Sequence, residues 1–298
     1  MRTIVFRGGA LGDLILTLPA VQALRSIADH ICLVAPDPQR VLARSFVDES
    51  FDLNSAAMAP LFGPDQIRSK DVFKSLGEFD FVLSYLSDSS TTFRTNVVAA
   101  TSARFVQGPS RIDESGPHAV AQLAAPVSAL TGTVPKPYPE IPVENKVPIR
   151  DIVAIHVGSG APRKNWPVEK WASLSEWLLE RFEKLLLVVG EADHENSQAL
   201  IDQIGKKGLE VVTTPSLEEL CSRLAGCRFY VGHDTGVSHL AAAVGVPTVT
   251  LFFCTNPAVW ASANPKNLVV SATSAEALST EELRLLITQW REFPSEIV

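Results

Sequence analysis

The sequence is poor in the features that would mark a zinc protein, a nucleic-acid binder or a membrane protein. Its four cysteines, Cys32, Cys221, Cys227 and Cys254, form no CxxC pair and keep no regular spacing. A zinc site is therefore unsupported, and the four read as buried thiols of a reduced compartment. No basic stripe is visible: residues 1–150 carry 14 Lys/Arg against 15 Asp/Glu, residues 151–298 carry 12 against 18, and the net charge is −7. A nucleic-acid backbone would find no cationic track to follow. The most apolar stretch, Leu240 to Phe253, is cut by Gly245 and Pro247, so no run qualifies as a membrane span. The opening MRTIVFRGG is interrupted by Arg7 and two glycines before a signal-peptide core could form. The expectation is a soluble cytoplasmic protein.

What is present is an ordinary globular composition, 46% hydrophobic and 20% charged, over 298 residues, a length that suggests about two domains. Short apolar runs alternate with helical patterns: TIVFR at 3–7, a helix over 14–27, HICLVA at 30–35, FDFVLSY at 79–85, and helices near 93–100 and 116–130. That alternation predicts a parallel sheet covered on both faces. Between 133 and 149 the pattern stops at five prolines, Pro135, Pro137, Pro139, Pro142 and Pro148, which read as a stiff linker. The alternation then restarts with DIVAIHV at 151–157, LLLVVG at 185–190, LEVVT at 209–213, CRFYV at 227–231 and PTVTLFF at 247–253. Two doubly wound domains are expected, 1–145 and 146–298, with ligands bound beyond the carboxyl ends of strands and the cleft between domains as the default site. A last amphipathic helix, about 280–293, could pack on either.

The most informative segment is YVGHDTGVSHLAAAVGVP, 230–247. A strand enters a polar turn and a helix leaves it, with Asp234, Thr235 and Gly236 at the mouth. The first amides of such a helix lack internal partners and carry the positive end of its dipole, which makes the turn a seat for a phosphate. The same residue types also serve as plain helix caps. His239, one turn on, could reach the same anion or belong to the core. In HVGSGAPRKNWP, 156–167, small residues around Ser159 precede Arg163 and Lys164, a composition suited to bringing cations and a hydroxyl to an oxyanion. Trp166 could anchor that loop, and His156 reads as a strand-end hydrogen-bonding residue. After LLLVVG come Glu191 and Asp193, acids that could accept hydrogen bonds from sugar hydroxyls or cap the next helix.

In the first domain, FRGGALGDLILTLPAVQALR carries strand one through Gly8, Gly9 and Gly12 into a helix. Asp13 there either caps the helix or projects beyond the sheet. The glycine spacing is not GxGxxG, but Asp37 follows strand two where a ribose-binding acid of a nicotinamide enzyme would lie, so an NAD-dependent oxidoreductase is one reading.

Three blocks in this order, FRGGALGDLILTLPAVQALR, HVGSGAPRKNWPVEKWASL and LAGCRFYVGHDTGVSHLAAAVGVPTVTLF, resemble glycosyltransferase family 9, the ADP-heptose:lipopolysaccharide heptosyltransferases. The resemblance implies the α/β GT-B fold of two Rossmann-like domains facing across a cleft. The first would bind the acceptor and the second the nucleotide sugar. It implies inverting transfer of a heptose or similar sugar from an ADP-sugar to a lipopolysaccharide core acceptor, with no cofactor and no metal, at the inner face of the inner membrane as a peripheral protein.

Asp13 would be the general base, and Lys164 with Ser159 would hold the diphosphate. Asp234, Thr235, Gly236 and His239 match the family's D-(T/S)-G-x-S-H turn. Gly12, Glu191 or Asp193 at the ribose, and backbone at Ser216 and Leu217 at the base would complete the donor site. Arg68, Lys70 and Arg94 are expected to meet the acceptor. The chain departs from the family pattern at Phe253 and Cys254, in place of a Gly-Pro pair, and at His233, where Asn is common. A nucleotide-sugar epimerase or hydrolase of GT-B fold and a non-catalytic nucleotide-sugar binder remain as alternatives.

Overall fold

A computed structural model of the chain describes residues 1–63, 76–143 and 148–294. It divides into two compact units, Met1–Pro139 and Glu140–Val298. The division falls inside the proline-rich stretch, because Ile141 already donates its amide to the Ala243 carbonyl of the second unit at 2.8 Å.

The first unit runs β1 (Arg2–Phe6), α1 (Leu11–Ala23), β2 (His30–Ala35), β3 (Glu49–Asp52), β4 (Phe81–Ser84), α2 (Thr92–Ala100), β5 (Arg104–Gln107) and α3 (Ala119–Thr131). Its strands pair in parallel in the order β3-β2-β1-β4-β5. The order reverses at β1, so the loops after β1 and β4 diverge and leave a crevice at their carboxyl ends. Ile4, Phe6, Val34, Val82 and Phe93 form one core cluster, with the Phe93 ring edge-on to Phe6 at 5.0 Å. Each such buried side chain stabilises the fold by about 1.5–3 kcal/mol.

The second unit runs β6 (Ile152–His156), α4 (Val168–Leu179), β7 (Lys184–Val189), α5 (His194–Ile204), β8 (Leu209–Thr213), α6 (Leu217–Ala225), β9 (Phe229–His233), α7 (Gly236–Ala243), β10 (Thr248–Phe252), α8 (Pro257–Trp260), β11 (Asn267–Ser271) and α9 (Thr280–Gln289). Its parallel sheet has the order β11-β10-β9-β6-β7-β8. Every residue of β6, β9 and β10 is buried, which is why these strands read as continuous rather than alternating apolar runs. The switch in strand order lies between β6 and β9, so the loops that follow these two strands are neighbours.

One expectation changes, at Cys254, and the placement of the last helix is settled. The helix α4 ends at Leu179, and Phe182 stays buried through the tight turn that follows. Cys254 is exposed, whereas Cys32, Cys221 and Cys227 are buried as expected. Burial pushes the thiols of Cys221 and Cys227 up to about 12, so both stay protonated and inert. The last helix, α9, packs against α4, and Leu283, Ile287, Trp290 and Phe293 join the core of the second unit. No helix among the described residues is long and apolar enough to cross a membrane.

Candidate functional site

The loops after β6 and β9 meet at the switch point. Lys164, in the short helical turn that ends the first loop, donates from Nζ to Asp234 Oδ2 at 2.7 Å and to the Asp234 carbonyl at 3.1 Å. Thr255 donates its hydroxyl to the same Oδ2 at 2.7 Å, and His239 Nε2 lies 3.7 Å from Oδ1. Burial alone would raise the Asp234 carboxyl, but the neighbouring His239 imidazole and the charge and hydrogen bond of Lys164 outweigh it and hold the group well below the usual carboxylate range. The result is a fixed carboxylate that aims an ammonium across the mouth of α7.

Asp234 and Thr235 precede α7, and Thr235 at the N-cap makes no side-chain cap to the helix. Its hydroxyl turns instead toward His156 Nδ1, at 3.4 Å, and Ser238 Oγ, at 3.5 Å. The first amides of an uncapped helix keep their hydrogens for an outside acceptor, and the helix dipole adds to the pull on an anion.

The loop that carries Lys164 is tied from below. Trp166 donates its backbone N–H to His233 Nε2 at 2.8 Å and its indole N–H to the Leu278 carbonyl at 3.1 Å. Its ring meets Trp171 edge-on at 5.4 Å. His233 is wholly buried, packed edge-on against Trp171 at 5.4 Å and Phe253 at 6.1 Å. Burial first, and the charges of His156 and Lys164 after it, push the His233 imidazole down to about 3, so it is a neutral acceptor at physiological pH. Two departures from the family pattern, His233 and Phe253, thus touch each other. Phe253 is part of the core cluster and does not crowd the site.

Two residues expected to meet the ligand directly are engaged inside the protein. Ser159 is buried. Its hydroxyl faces Asn165 Oδ1 at 2.7 Å and the Ala161 carbonyl at 2.9 Å while accepting from the Ala161 N–H at 3.2 Å, so it shapes the loop. Asp193 is 4% exposed, pairs with His156 Nε2 at 2.7 Å, and accepts the Gly190 N–H on both oxygens at 3.0 and 3.2 Å. A ribose would find no free oxygen there. Burial alone would raise this carboxyl too, but the His156 hydrogen bond and charge keep it lowered.

Gly158 makes this packing possible, because a Cβ there would come within 2.0 Å of Asp193 Cβ. Glu191 is exposed, and of the two acids it is the one that faces solvent. Ser216 is the N-cap of α6, its hydroxyl accepting from Glu219 N at 3.1 Å, with Leu217 opening the helix beside β8.

In the first unit, Gly12 and Asp13 lie in the first turn of α1. Asp13 Oδ2 accepts the Ala10 N–H at 2.8 Å, and Oδ1 accepts from Arg7 Nη2 at 2.9 Å. The same carboxylate therefore caps the helix and stays about one-third exposed, its side chain at 34%. Gly9 serves this turn, with φ +99° and no room for a Cβ, which would meet Asp13 Oδ2 at 2.6 Å. Arg7 is 4% exposed, and desolvation lowers its pKa against the attraction of Asp13. Asp37, the acid behind the nicotinamide reading, is ion-paired to Arg40.

Arg94 stands with its guanidinium over the Phe105 ring at 5.5 Å and lines a cavity with Leu86, Asp88 and Gln107 beyond β4 and β5. Arg68 and Lys70 lie outside the described residues. Among the described residues no group of His, Cys, Asp and Glu could hold a metal ion.

Residue patterns alone had not exposed two contacts, Arg7 with Asp13 and His156 with Asp193. The first was within reach, since Arg7 ends β1 and Asp13 sits one turn into α1. The second joins the ends of two strands whose adjacency the sequence does not state.

Two Rossmann-like units, one with an ammonium held over an uncapped helix N-terminus at its switch point, define the GT-B class of fold. The model of glycosyltransferase family 9 (heptosyltransferase) matches residues 135–286, about half of the chain, and the chain belongs to that family. A lipopolysaccharide heptosyltransferase 1 of Escherichia coli is 34% identical over 113 residues, 38% of this chain and 34% of the relative. The matched region thus spans about a third of that relative's length.

Among solved structures, the glycosyl transferase family 9 protein of Veillonella parvula superposes with a TM-score of 0.78, covering 97% of this chain and 96% of its own at 19% identity. Escherichia coli heptosyltransferase WaaC with ADP-2-deoxy-2-fluoro heptose superposes with a TM-score of 0.75, covering 97% of this chain and 99% of that one, also at 19% identity. At that identity both likenesses are of fold.

Proposed function

We propose that this chain is an inverting glycosyltransferase that moves a heptose, or a sugar of similar shape, from an ADP-sugar to a lipopolysaccharide core acceptor without a metal. The observation that carries the reading is the Lys164–Asp234 pair beside the uncapped mouth of α7. A diphosphate seated there receives the α7 amides and the Lys164 ammonium, and these offset the charge that builds on the departing ADP. Glu191 accepts from the ribose hydroxyls, and the backbone at Ser216 and Leu217 borders the adenine.

Asp13 takes the proton of the attacking hydroxyl. The acceptor oxygen bonds to the anomeric carbon from the face opposite the diphosphate, the bond from that carbon to the β-phosphate oxygen breaks, and the configuration inverts. Arg7 keeps one Asp13 oxygen oriented, and Arg94 with the residues around it meets the acceptor. The acceptor is lipid-linked, which places the protein at the inner face of the inner membrane as a peripheral partner.

A thermal-shift panel of ADP-, UDP- and GDP-sugars tests the donor, since a ligand that binds only the folded chain raises its melting temperature. Transfer to a core acceptor that lacks heptose tests the reaction. Stabilisation by an ADP-sugar together with an acceptor-dependent product of inverted configuration is the expected result. Release of free sugar at the same rate with and without acceptor would make the chain a hydrolase.

A further inference from the structure

Two lysines flank Trp166, and the reaction as proposed uses only Lys164. Lys170 lies in the first turn of α4, half-buried, with its ammonium among backbone carbonyls of the segment between β11 and α9. Nζ donates to the Glu276 carbonyl at 2.6 Å, to that of Leu278 at 2.8 Å and to that of Ala275 at 3.4 Å. An ammonium has three hydrogens to give and no acceptor, so these three carbonyls use its full capacity. The segment itself, residues 272–279, forms neither helix nor strand, and Lys170 gathers its carbonyls onto one point.

One of those carbonyls has a second donor. The Leu278 oxygen also accepts the Trp166 indole N–H at 3.1 Å, and Leu278 is buried. At its other end Trp166 gives its backbone N–H to His233 Nε2 at 2.8 Å. Trp166 is thus strung between the end of β9 and the 272–279 segment, and Lys164 stands two residues before it. The chain between them has no slack, because the Asn165 amide closes on the Pro162 carbonyl at 2.9 Å and the Lys164 amide on the Ala161 carbonyl at 2.8 Å. A shift of the Leu278 carbonyl therefore passes to the indole, from the indole to the turn, and from the turn to the ammonium that Asp234 holds on two oxygens.

We propose that Lys170 is a positioning residue for the donor: it fixes the Leu278 carbonyl from which the Trp166 indole hangs, and so sets the Lys164 ammonium for the diphosphate. The inference rests on the donor reading given above. A control lies in the same two elements. Arg284 of α9 donates from Nη2 to the Ser173 hydroxyl of α4 at 2.8 Å and stands over the Trp177 ring at 6.0 Å. It ties α9 to α4 as Lys170 ties the preceding segment to α4, but through Ser173 and Trp177 rather than Leu278 and Trp166.

Lys170→Met removes the ammonium and keeps the length of the side chain, and Trp166→Phe removes the indole N–H and keeps a ring. The probe is ADP, the departing group of the proposed reaction, titrated into each folded chain by calorimetry. Each variant is expected to bind ADP about tenfold more weakly than the wild type, and the double variant no more weakly than either alone, because both cut the same connection. Arg284→Met should bind ADP as the wild type does, whatever its melting temperature. A second readout needs no ligand: hydrogen exchange at the Lys164, Asn165 and Trp166 amides should quicken about tenfold in Lys170→Met and stay unchanged in Arg284→Met. Wild-type affinity or wild-type exchange in Lys170→Met overturns the proposal, as do additive losses in the double variant. An equal loss in Arg284→Met overturns it too, since general loosening of α4 would then suffice. Should Lys170→Met fail to fold, Trp166→Phe decides through the same titration and the Lys164 and Asn165 amides, and unchanged values there show that the Leu278 carbonyl holds nothing at the site. Quickened exchange in Lys170→Met beside a folded wild type that binds no ADP removes the donor reading, and the role of Lys170 toward the donor with it, while the tie from Leu278 to the turn stands.

Discussion

Lys164 and Asp234 are 70 residues apart in the chain and 2.7 Å apart in space. Neither would hold its position alone: a lysine near the end of a loop has four rotatable bonds, and a carboxylate this buried would ordinarily gain a proton. Together they make one fixed ammonium, with its charge at the mouth of α7. Everything proposed for the donor depends on that pairing.

Removing the lysine should affect stability and binding together. Lys164→Met leaves Asp234 with His239 and Thr255 as partners, and the loss of a buried charge partner costs about 3 kcal/mol. Binding of an ADP-sugar should weaken by at least about tenfold, which corresponds to the loss of one charge-assisted hydrogen bond of about 1.4 kcal/mol. Chemical denaturation and calorimetry read the two effects. A variant with wild-type donor affinity would show that the ammonium plays no part in holding the diphosphate.

The pH dependence of stability should show two separate limbs. The Asp234 carboxyl is lowered in the folded state, so its contribution is present above its ordinary value of 3.8 and lost as pH falls below that. The His233 imidazole is lowered from 6.5 to about 3, so between those values the unfolded chain binds more protons than the folded one. Stability should therefore fall by about 1.4 kcal/mol for each pH unit below 6.5. His233→Asn should abolish that upper limb, and Asp234→Asn should flatten only the more acidic one. Urea melts at pH 7, 6, 5, 4, 3 and 2 separate them, and an unchanged slope between pH 6 and 4 in His233→Asn would refute the assignment.

Asp13→Asn keeps the size of the side chain and one acceptor oxygen but cannot take a proton. Transfer should drop by at least about 100-fold, the usual contribution of a general base. Donor affinity should stay near wild type. Steady-state rates beside donor titrations make the test, and normal turnover would assign Asp13 to helix capping alone.

Gly158→Ala should act on the site through packing. The new methyl would lie 2.0 Å from Asp193 Cβ, in backbone-supported surroundings. Asp193 must move, at a cost of about 1–3 kcal/mol, and the His156 contact with it. Gly160→Ala, in the same loop but with nothing within 4 Å of the added carbon, should be close to neutral. Thermal melts of the two variants side by side check this. Equal melting temperatures would mean that the loop and the turn after β7 yield without resistance.

By itself the sequence determined the class of fold, the family and the positions of the polar turns. These are local matters. Continuous apolar runs such as IVAIH require two covered faces, and a strand that enters an Asp-Thr-Gly turn before an apolar helix states its own geometry within a dozen residues. What only the tertiary structure decided is which turns meet and which side chains remain available. The order β11-β10-β9-β6-β7-β8 places β6 between β9 and β7, and this one fact puts Lys164 on Asp234 and His156 on Asp193. It withdrew Asp193 and Ser159 from the ligand, turned His233 and Phe253 from departures into one packed contact, and joined α9 to the second unit. Pairing of this kind depends on strand adjacency and burial, which are properties of the whole sheet. The residues themselves state only what they could offer, and the fold settles which neighbour takes it.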